Sequence, residues 1–213
     1  MNAVHFLCIV GTAERKIEDK ERLRSLILQA AKKLFVEKGI EHTTMRNIAD
    51  TVRYSVGTVY VYFKDKNAIL HELHTQGFIQ LGGKMQVLGA VSEPMERLKA
   101  MGRAYIAFAM ENPDMYDLMF SMKAPMEFIH ENCDHDWDEG KGTFDGLRMT
   151  VADCIANGYF KGHETEPLAF VIWSTVHGMC ALKIADRIRG LRSEEPTEVV
   201  MEAYEEFVRL IDR

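Results

Sequence analysis

Residues 48–63, IADTVRYSVGTVYVYF, carry two short helical patterns with a sharp turn between them, which is how a helix-turn-helix is written. In the first pattern Met45, Ile48, Ala49 and Val52 recur at helical spacing, and the Thr44 hydroxyl just ahead of them can cap the helix. In the second, Val59 and Phe63 point one way while Ser55, Thr58 and Tyr62 point the other. A slim helix anchored on one side, with donors, methyls and no bulky charge on the other, fits the major groove of double-stranded DNA.

Working outward, residues 21–81 resemble the DNA-binding domain of TetR-family transcriptional regulators, a three-helix unit ending in a pattern close to IA…GVS.GT.Y.YF with a lysine soon after. Ile48, Ala49, Ser55, Gly57, Thr58, Tyr60, Tyr62, Phe63 and Lys66 stand in that register, and Phe35, Gly39, Thr43 and Thr44 match the end of helix 1 and the start of helix 2. The chain departs from the pattern at Arg53, where the family usually has Gly, so a left-handed backbone there carries a Cβ penalty. Val52 and Tyr54 replace the usual Ala and Val, and Val56 replaces what is often a polar residue.

The resemblance implies DNA contacts at Thr44, Arg46, Ser55, Val56, Gly57, Thr58, Tyr60, Tyr62 and Lys66. It assigns Arg46 to a guanine edge, while Thr44, Tyr60 and Lys66 are phosphate contacts that position the unit. It further implies an operator of roughly two-fold symmetry, held by a homodimer and released when a small molecule fills the rest of the chain. A module that binds effector or protein with reduced DNA binding is the alternative, favoured by Arg53 and Val56.

Charge divides the same way. Residues 1–70 hold 12 Lys+Arg against 8 Asp+Glu, a balance of +4, while the remainder holds 14 against 24, a balance of −10. The positive part suits phosphate, and the acidic part discourages non-specific coating of nucleic acid. The four cysteines, Cys8, Cys133, Cys154 and Cys180, are widely spaced without a CxxC, which suits a reducing cytoplasm. Cys154 and Cys180 fall inside helical patterns and read as small core residues. No apolar run approaches the ~18 residues expected of a transmembrane helix, so no membrane partner is expected. The opening MNAVHFLCIVGTA lacks the basic start of a secretory signal, and residues 1–20 read as a flexible or loosely packed arm.

The chain reads as all-α in two domains, a DNA-binding domain over 21–81, its motif at about 44–63, and a helical effector-binding and dimerisation domain over 82–213. Helix 1 covers about 20–38, with Leu23, Leu26, Ile27, Ala30, Leu34 and Phe35 on one stripe and Gly39 ending it. A fourth helix runs from Asp65 to about residue 90, weakened in its second half by Gly77, Gly82, Gly83 and Gly89. Further helices start at Pro94, after Asn112, at Pro125, and at about 142, 166 and 195. The last two are the expected dimer surface, through Leu168, Val171, Ile172, Thr175, Val176 and Met179, and through Val199, Ala203, Phe207 and Leu210.

Eight methionines between Met85 and Met126 suit either irregular core packing or a pocket for varied apolar ligands. Tyr105, Phe108, Met119, Phe120, Phe144, Phe170, Trp173 and His177 are the candidate effector pocket, and Trp173, His177 and Gly178 form a triplet that resembles one class of TetR-family effector domain. His177 is either a polar anchor or, preferably, a core histidine bonded to a backbone carbonyl. The run His130, Cys133, Asp134, His135, Asp136 and Asp138 holds metal-ligating types but no second half elsewhere, so it reads as a solvated loop and no metal is expected. His71-Glu72-Leu73-His74 misses the HExxH spacing. No phosphate loop, nucleophile elbow or cofactor motif is present, so no cofactor and no catalysis are expected.

Overall fold

The computed structural model describes residues 3–120, 138–190 and 196–212, and all regular structure among them is helical. The chain divides into two compact units after Leu73, earlier than the boundary expected at residue 81, so the division falls inside one helix.

In the first unit, Met1–Leu73, α1 spans Ala3–Lys38, α2 Met45–Val52 and α3 Val56–Tyr62, and α4, Lys66–Gln86, begins. Residues 3–20 continue α1 instead of forming a separate arm. Opposite charges fall there at helical spacing, Arg15 with Asp19 and Glu18 with Arg22, and no proline interrupts. Gly39 ends α1 as expected, at φ +80°, its N–H bonded to the Phe35 carbonyl at 2.9 Å. The buried stripe runs through Leu23, Ile27, Leu28, Ala31, Leu34 and Phe35, whereas Leu26 is exposed. Thr43 is buried, and its hydroxyl donates to the Leu34 and Gly39 carbonyls, tying the α1–α2 loop to the end of α1.

The second unit, His74–Arg213, holds the rest of α4, a 3₁₀ turn at Val87–Ala90, then α5 (Pro94–Glu111), α6 (Pro113–Phe120), α7 (Asp138–Ala156), α8 (Thr165–Ile184) and α9 (Pro196–Ile211). Pro94 opens α5, and the Glu93 carboxylate accepts the Glu96 N–H at 2.5 Å as its cap. Met95 and Leu98 of α5, Val151 and Cys154 of α7, and Ala169 and Ile172 of α8 meet in the core. Cys154 and Cys180 are buried free thiols, as read from the sequence, and burial pushes them up to about 11 and about 12. His130, Cys133, Asp134, His135 and Asp136 of the candidate ligand run, and the helix expected at Pro125, lie outside the described residues, while Asp138 is the first residue of α7.

α9 is fastened to α5 by a dense clasp. The Tyr204 hydroxyl donates to the Lys99 carbonyl at 2.8 Å, with its ring seated over Gly102. Lys99 is bonded to Glu96 at 2.7 Å and Asp212 at 2.6 Å, and Arg103 grips Glu205 through two hydrogen bonds of 2.9 and 3.1 Å. α8 corrects two expectations. It is long and apolar enough by composition to cross a membrane, with 22% of its apolar window buried within the chain. Ile172 and Val176, assigned to an outer stripe, face the chain's own core, while Phe170, Val171 and Leu182 are the exposed apolar residues.

Candidate nucleic-acid interface and ligand cavity

The two short helices carry their own terminal bonds. Thr44 Oγ1 accepts the Asn47 N–H at 3.1 Å and Asn47 Oδ1 accepts the Thr44 N–H at 3.0 Å, a reciprocal capping box at the start of α2. Ser55 caps α3 in the same way, accepting the Thr58 N–H at 3.0 Å while the two hydroxyls share a bond of 2.8 Å. Between them Arg53 adopts φ 61°, ψ 39°, the left-handed conformation anticipated for this position. Tyr54 N–H bonds the Ala49 carbonyl at 3.0 Å and Arg53 N–H bonds the Asp50 carbonyl at 3.2 Å, the pair that defines a Schellman stop. Since only glycine holds this conformation without a Cβ penalty, Arg53→Gly should stabilise the unit by up to about 1 kcal/mol in urea unfolding. A destabilised variant would show that the guanidinium contributes more than its backbone costs.

Ile48, Ala49, Val59 and Phe63 are buried and hold α2 and α3 together. The solvent side of α3 is centred on Gly57, Tyr60 and Val61, with Val61 77% exposed. Thr58 and Tyr62, placed on the outer face from spacing alone, are half-buried, as is Val56. Thr44, Arg46 and Ser55 are exposed, so the candidate contacts that reach solvent freely are Thr44, Arg46, Ser55, Gly57 and Tyr60. Lys66 is half-buried, and its ammonium donates to the Ile40 carbonyl at 2.8 Å, linking the start of α4 to the α1–α2 loop.

One clasp had no sequence signal. Arg24 of α1 pairs with Glu72 of α4 at 2.9 Å, with a second hydrogen bond of 3.1 Å, and its guanidinium lies 5.1 Å from the centre of the Phe63 ring. Phe63 is the residue that closes α3, so this stack locks the reading helix against the two longer ones. It also occupies Glu72, the central carboxylate of the near-miss metal pattern.

In the second unit Tyr105, Tyr116, Trp173 and His177 form a hydrogen-bonded network. His177 Nδ1 lies 2.7 Å from the Tyr116 hydroxyl and 3.0 Å from the Tyr105 hydroxyl, while Trp173 Nε1 donates to Tyr105 at 3.3 Å. His177 therefore bonds tyrosine hydroxyls, not the backbone acceptor expected, and the backbone contact is its own carbonyl accepting from Tyr116 at 3.2 Å. Burial holds His177 below its ordinary value and both tyrosines above theirs, which keeps all three neutral. Phe120 packs on Tyr116 and His177, Phe144 on Trp173, and Met119 and Phe108 are buried. Phe170 touches Trp173 yet is 56% exposed.

Beside that cluster lies an open volume. A cavity of about 530 Å³ runs between the second half of α4, α5 and α7. Phe78, Ile79, Met85, Met101 and Met149 give apolar walls, and Gly82, Gly89, Gly142 and Gly146 leave gaps where side chains would project. Gln86, Thr143, Thr150, Arg97 and Asp153 supply its polar groups. Phe78 joins the two regions, its ring 5.4 Å from Phe120. The sequence missed this cavity because its lining is defined by absent side chains on helices distant in the chain. No group of three or more metal-ligating residues occurs among the described residues.

Comparison with known proteins agrees with both units. Residues 27–73 match the family model of bacterial regulatory proteins of the tetR family, and residues 98–207 match the tetracyclin repressor-like C-terminal domain. The chain is 46% identical over 185 residues to the HTH-type transcriptional regulator HbdR of Aromatoleum sp., covering 83% of this chain and 76% of that protein. It is 32% identical over 79 residues to the HTH-type transcriptional repressor KstR2 of Mycolicibacterium smegmatis, an alignment spanning 37% of this chain and only 38% of KstR2. Among solved structures, the ketosteroid transcriptional regulator KstR2 of Mycobacterium tuberculosis superposes with a TM-score of 0.70 at 19% identity, covering 88% of this chain and 94% of that one. The fatty acid degradation regulator FadR of Bacillus halodurans gives 0.70 at 16% identity, covering 87% and 94%.

Proposed function

The chain belongs to the TetR family of bacterial regulatory proteins, and from that premise we propose that it is a homodimeric repressor that holds a two-fold symmetric operator and lets go when a largely apolar effector fills its second unit. The observation that carries the reading is the pair of self-capped helices at a left-handed turn, with Arg46, Ser55, Gly57 and Tyr60 presented to solvent. In a dimer two such units enter successive major grooves about 34–36 Å apart.

Arg46 is assigned to a base edge and Tyr60 to a phosphate, and the two roles separate by experiment. Tyr60→Phe should weaken binding to all DNA sequences alike. Arg46→Ala should relax preference at one position per half-site by about 1–3 kcal/mol. Binding titrations against an operator and its single-base variants make the distinction, and uniform weakening by both substitutions would reduce Arg46 to a positioning contact. Absence of any salt-dependent shift of a promoter fragment would favour the alternative module with reduced DNA binding.

For the dimer we assign the exposed side of α8, where Val171 and Leu182 flank Ser174 and Gly178, together with α9. An apolar helix with 22% of its apolar window buried within its own chain calls for a cover, and a second copy supplies one. For the effector we assign the cavity of about 530 Å³, a size within the range of small-molecule sites. The relatives named for ketosteroid and fatty acid regulation support a hydrocarbon-rich ligand. α4 is continuous from Lys66 to Gln86, so a ligand seated against Phe78, Ile79 and Gly82 bears on the same helix that carries Lys66 and Glu72. Such a ligand acts only by binding the DNA-free state more tightly.

A further inference from the structure

We propose that the cavity selects a slim apolar tail bearing an oxyanion head, with Arg97 anchoring the head and Asp153 serving as the internal carboxylate that the head displaces. The proposal rests on the reading of this cavity as the effector site.

Among the described residues lining the cavity, only Arg97 and Asp153 carry charge. The Arg97 side chain is 15% exposed and is fixed by two neutral partners, Nε to Thr150 Oγ1 at 3.3 Å and Nη1 to the Val91 carbonyl at 3.2 Å. Thr150 is itself buried and held by the Gly146 carbonyl at 3.0 Å. The guanidinium therefore keeps its place whether or not its third partner, Asp153 on Nη2, stays.

Asp153 is the opposite kind of group. Its side chain is 58% exposed, so it can turn to water with little loss. When it does, a mostly buried cation faces an apolar cavity without a counter-ion, a state that an incoming carboxylate or phosphate relieves. The rest of the cavity suits a chain. A Cβ built at Gly89, Gly142 or Gly146 meets nothing within 4 Å, so the space beside these positions is open. Along α7, from Gly142 to Asp153, the cavity follows about 16 Å of helix at 1.5 Å per residue. One end is charged and the other is not.

The test is calorimetric titration of the purified full chain with decanoate, decyl phosphate and decanol, each in monomeric form. Either or both anions should bind roughly tenfold to a hundredfold more tightly than decanol, and which anion does so identifies the head. Asp153→Asn should tighten anion binding by about threefold to tenfold and leave decanol unchanged, because it removes the competing carboxylate. Arg97→Met should bring the anions down to the decanol level. Should that variant fail to fold, the exposed Asp153→Asn decides alone. Decanol binding as tightly as both anions, no binding by any of the three, or an Asp153→Asn variant with an unchanged anion preference overturns the proposal. The effector reading fails separately: anions that bind but leave the operator complex intact in a gel shift keep the anion site and remove its regulatory role.

Discussion

Replacing Val171 and Leu182 together by glutamate should leave a folded monomer that holds its operator roughly 10²–10⁴-fold more weakly than the parent. Both side chains are more than half exposed, at 55% and 52%, so the substitutions disturb little of the chain's own core. In a two-fold interface each residue meets its surroundings twice, and four carboxylates in an apolar contact must be desolvated without partners. Losing the second reading head converts a bidentate attachment into a single half-site contact, which is where the large factor comes from. Light scattering and a gel shift on the same sample check it. A variant that still scatters as a dimer would place the interface off this face of α8. The equivalent change at Val176, 5% exposed, would unfold the unit and report nothing about assembly.

Gly102→Ala should destabilise the second unit by about 2–4 kcal/mol in urea unfolding. The added Cβ would stand 2.1 Å from the Tyr204 hydroxyl oxygen and 2.4 Å from Cζ, so the ring itself must leave. With it goes the 2.8 Å bond to the Lys99 carbonyl, in the middle of the clasp that fastens α9 to α5. Gly77 is the contrasting case, since a Cβ there meets the flexible end of Met119, with Sδ at 2.5 Å, which can swing aside. A Gly102→Ala loss below about 1 kcal/mol would mean that α9 slides along α5 to make room.

Features set by a few neighbouring residues were legible in the sequence. Thr44 as a cap, Gly39 as a stop and the left-handed Arg53 are all decided within a turn or two of backbone, and the structure has each. The outer face of α3 was not, because a seven-residue helix is rolled by what it packs against, and Phe63 beneath Arg24 turns Tyr60 and Val61 outward. α8 is apolar on every side, so periodicity could not tell Val176 from Val171, and only packing on α5 and α7 separates them. The aromatic residues gathered from the sequence do assemble, and hydrogen bonds join Tyr105, Tyr116, Trp173 and His177 beside the cavity. Gly82 and Gly89, read as helix weakness, line the space together with Gly142 and Gly146.

The self-contained bonding of α2 and α3 sets a thermodynamic expectation for DNA association. Every cap of the reading unit is made by its own residues: the Thr44–Asn47 box, the Ser55 cap, the Schellman stop at Arg53. Nothing in it waits for a phosphate in order to fold, so binding carries no ordering penalty of the kind a disordered recognition segment incurs. Calorimetry of operator binding should accordingly show a small heat-capacity change, without the large negative value of coupled folding. The encounter rate should follow ionic strength, as for a rigid charged body meeting a polyanion, and owe little to any folding step.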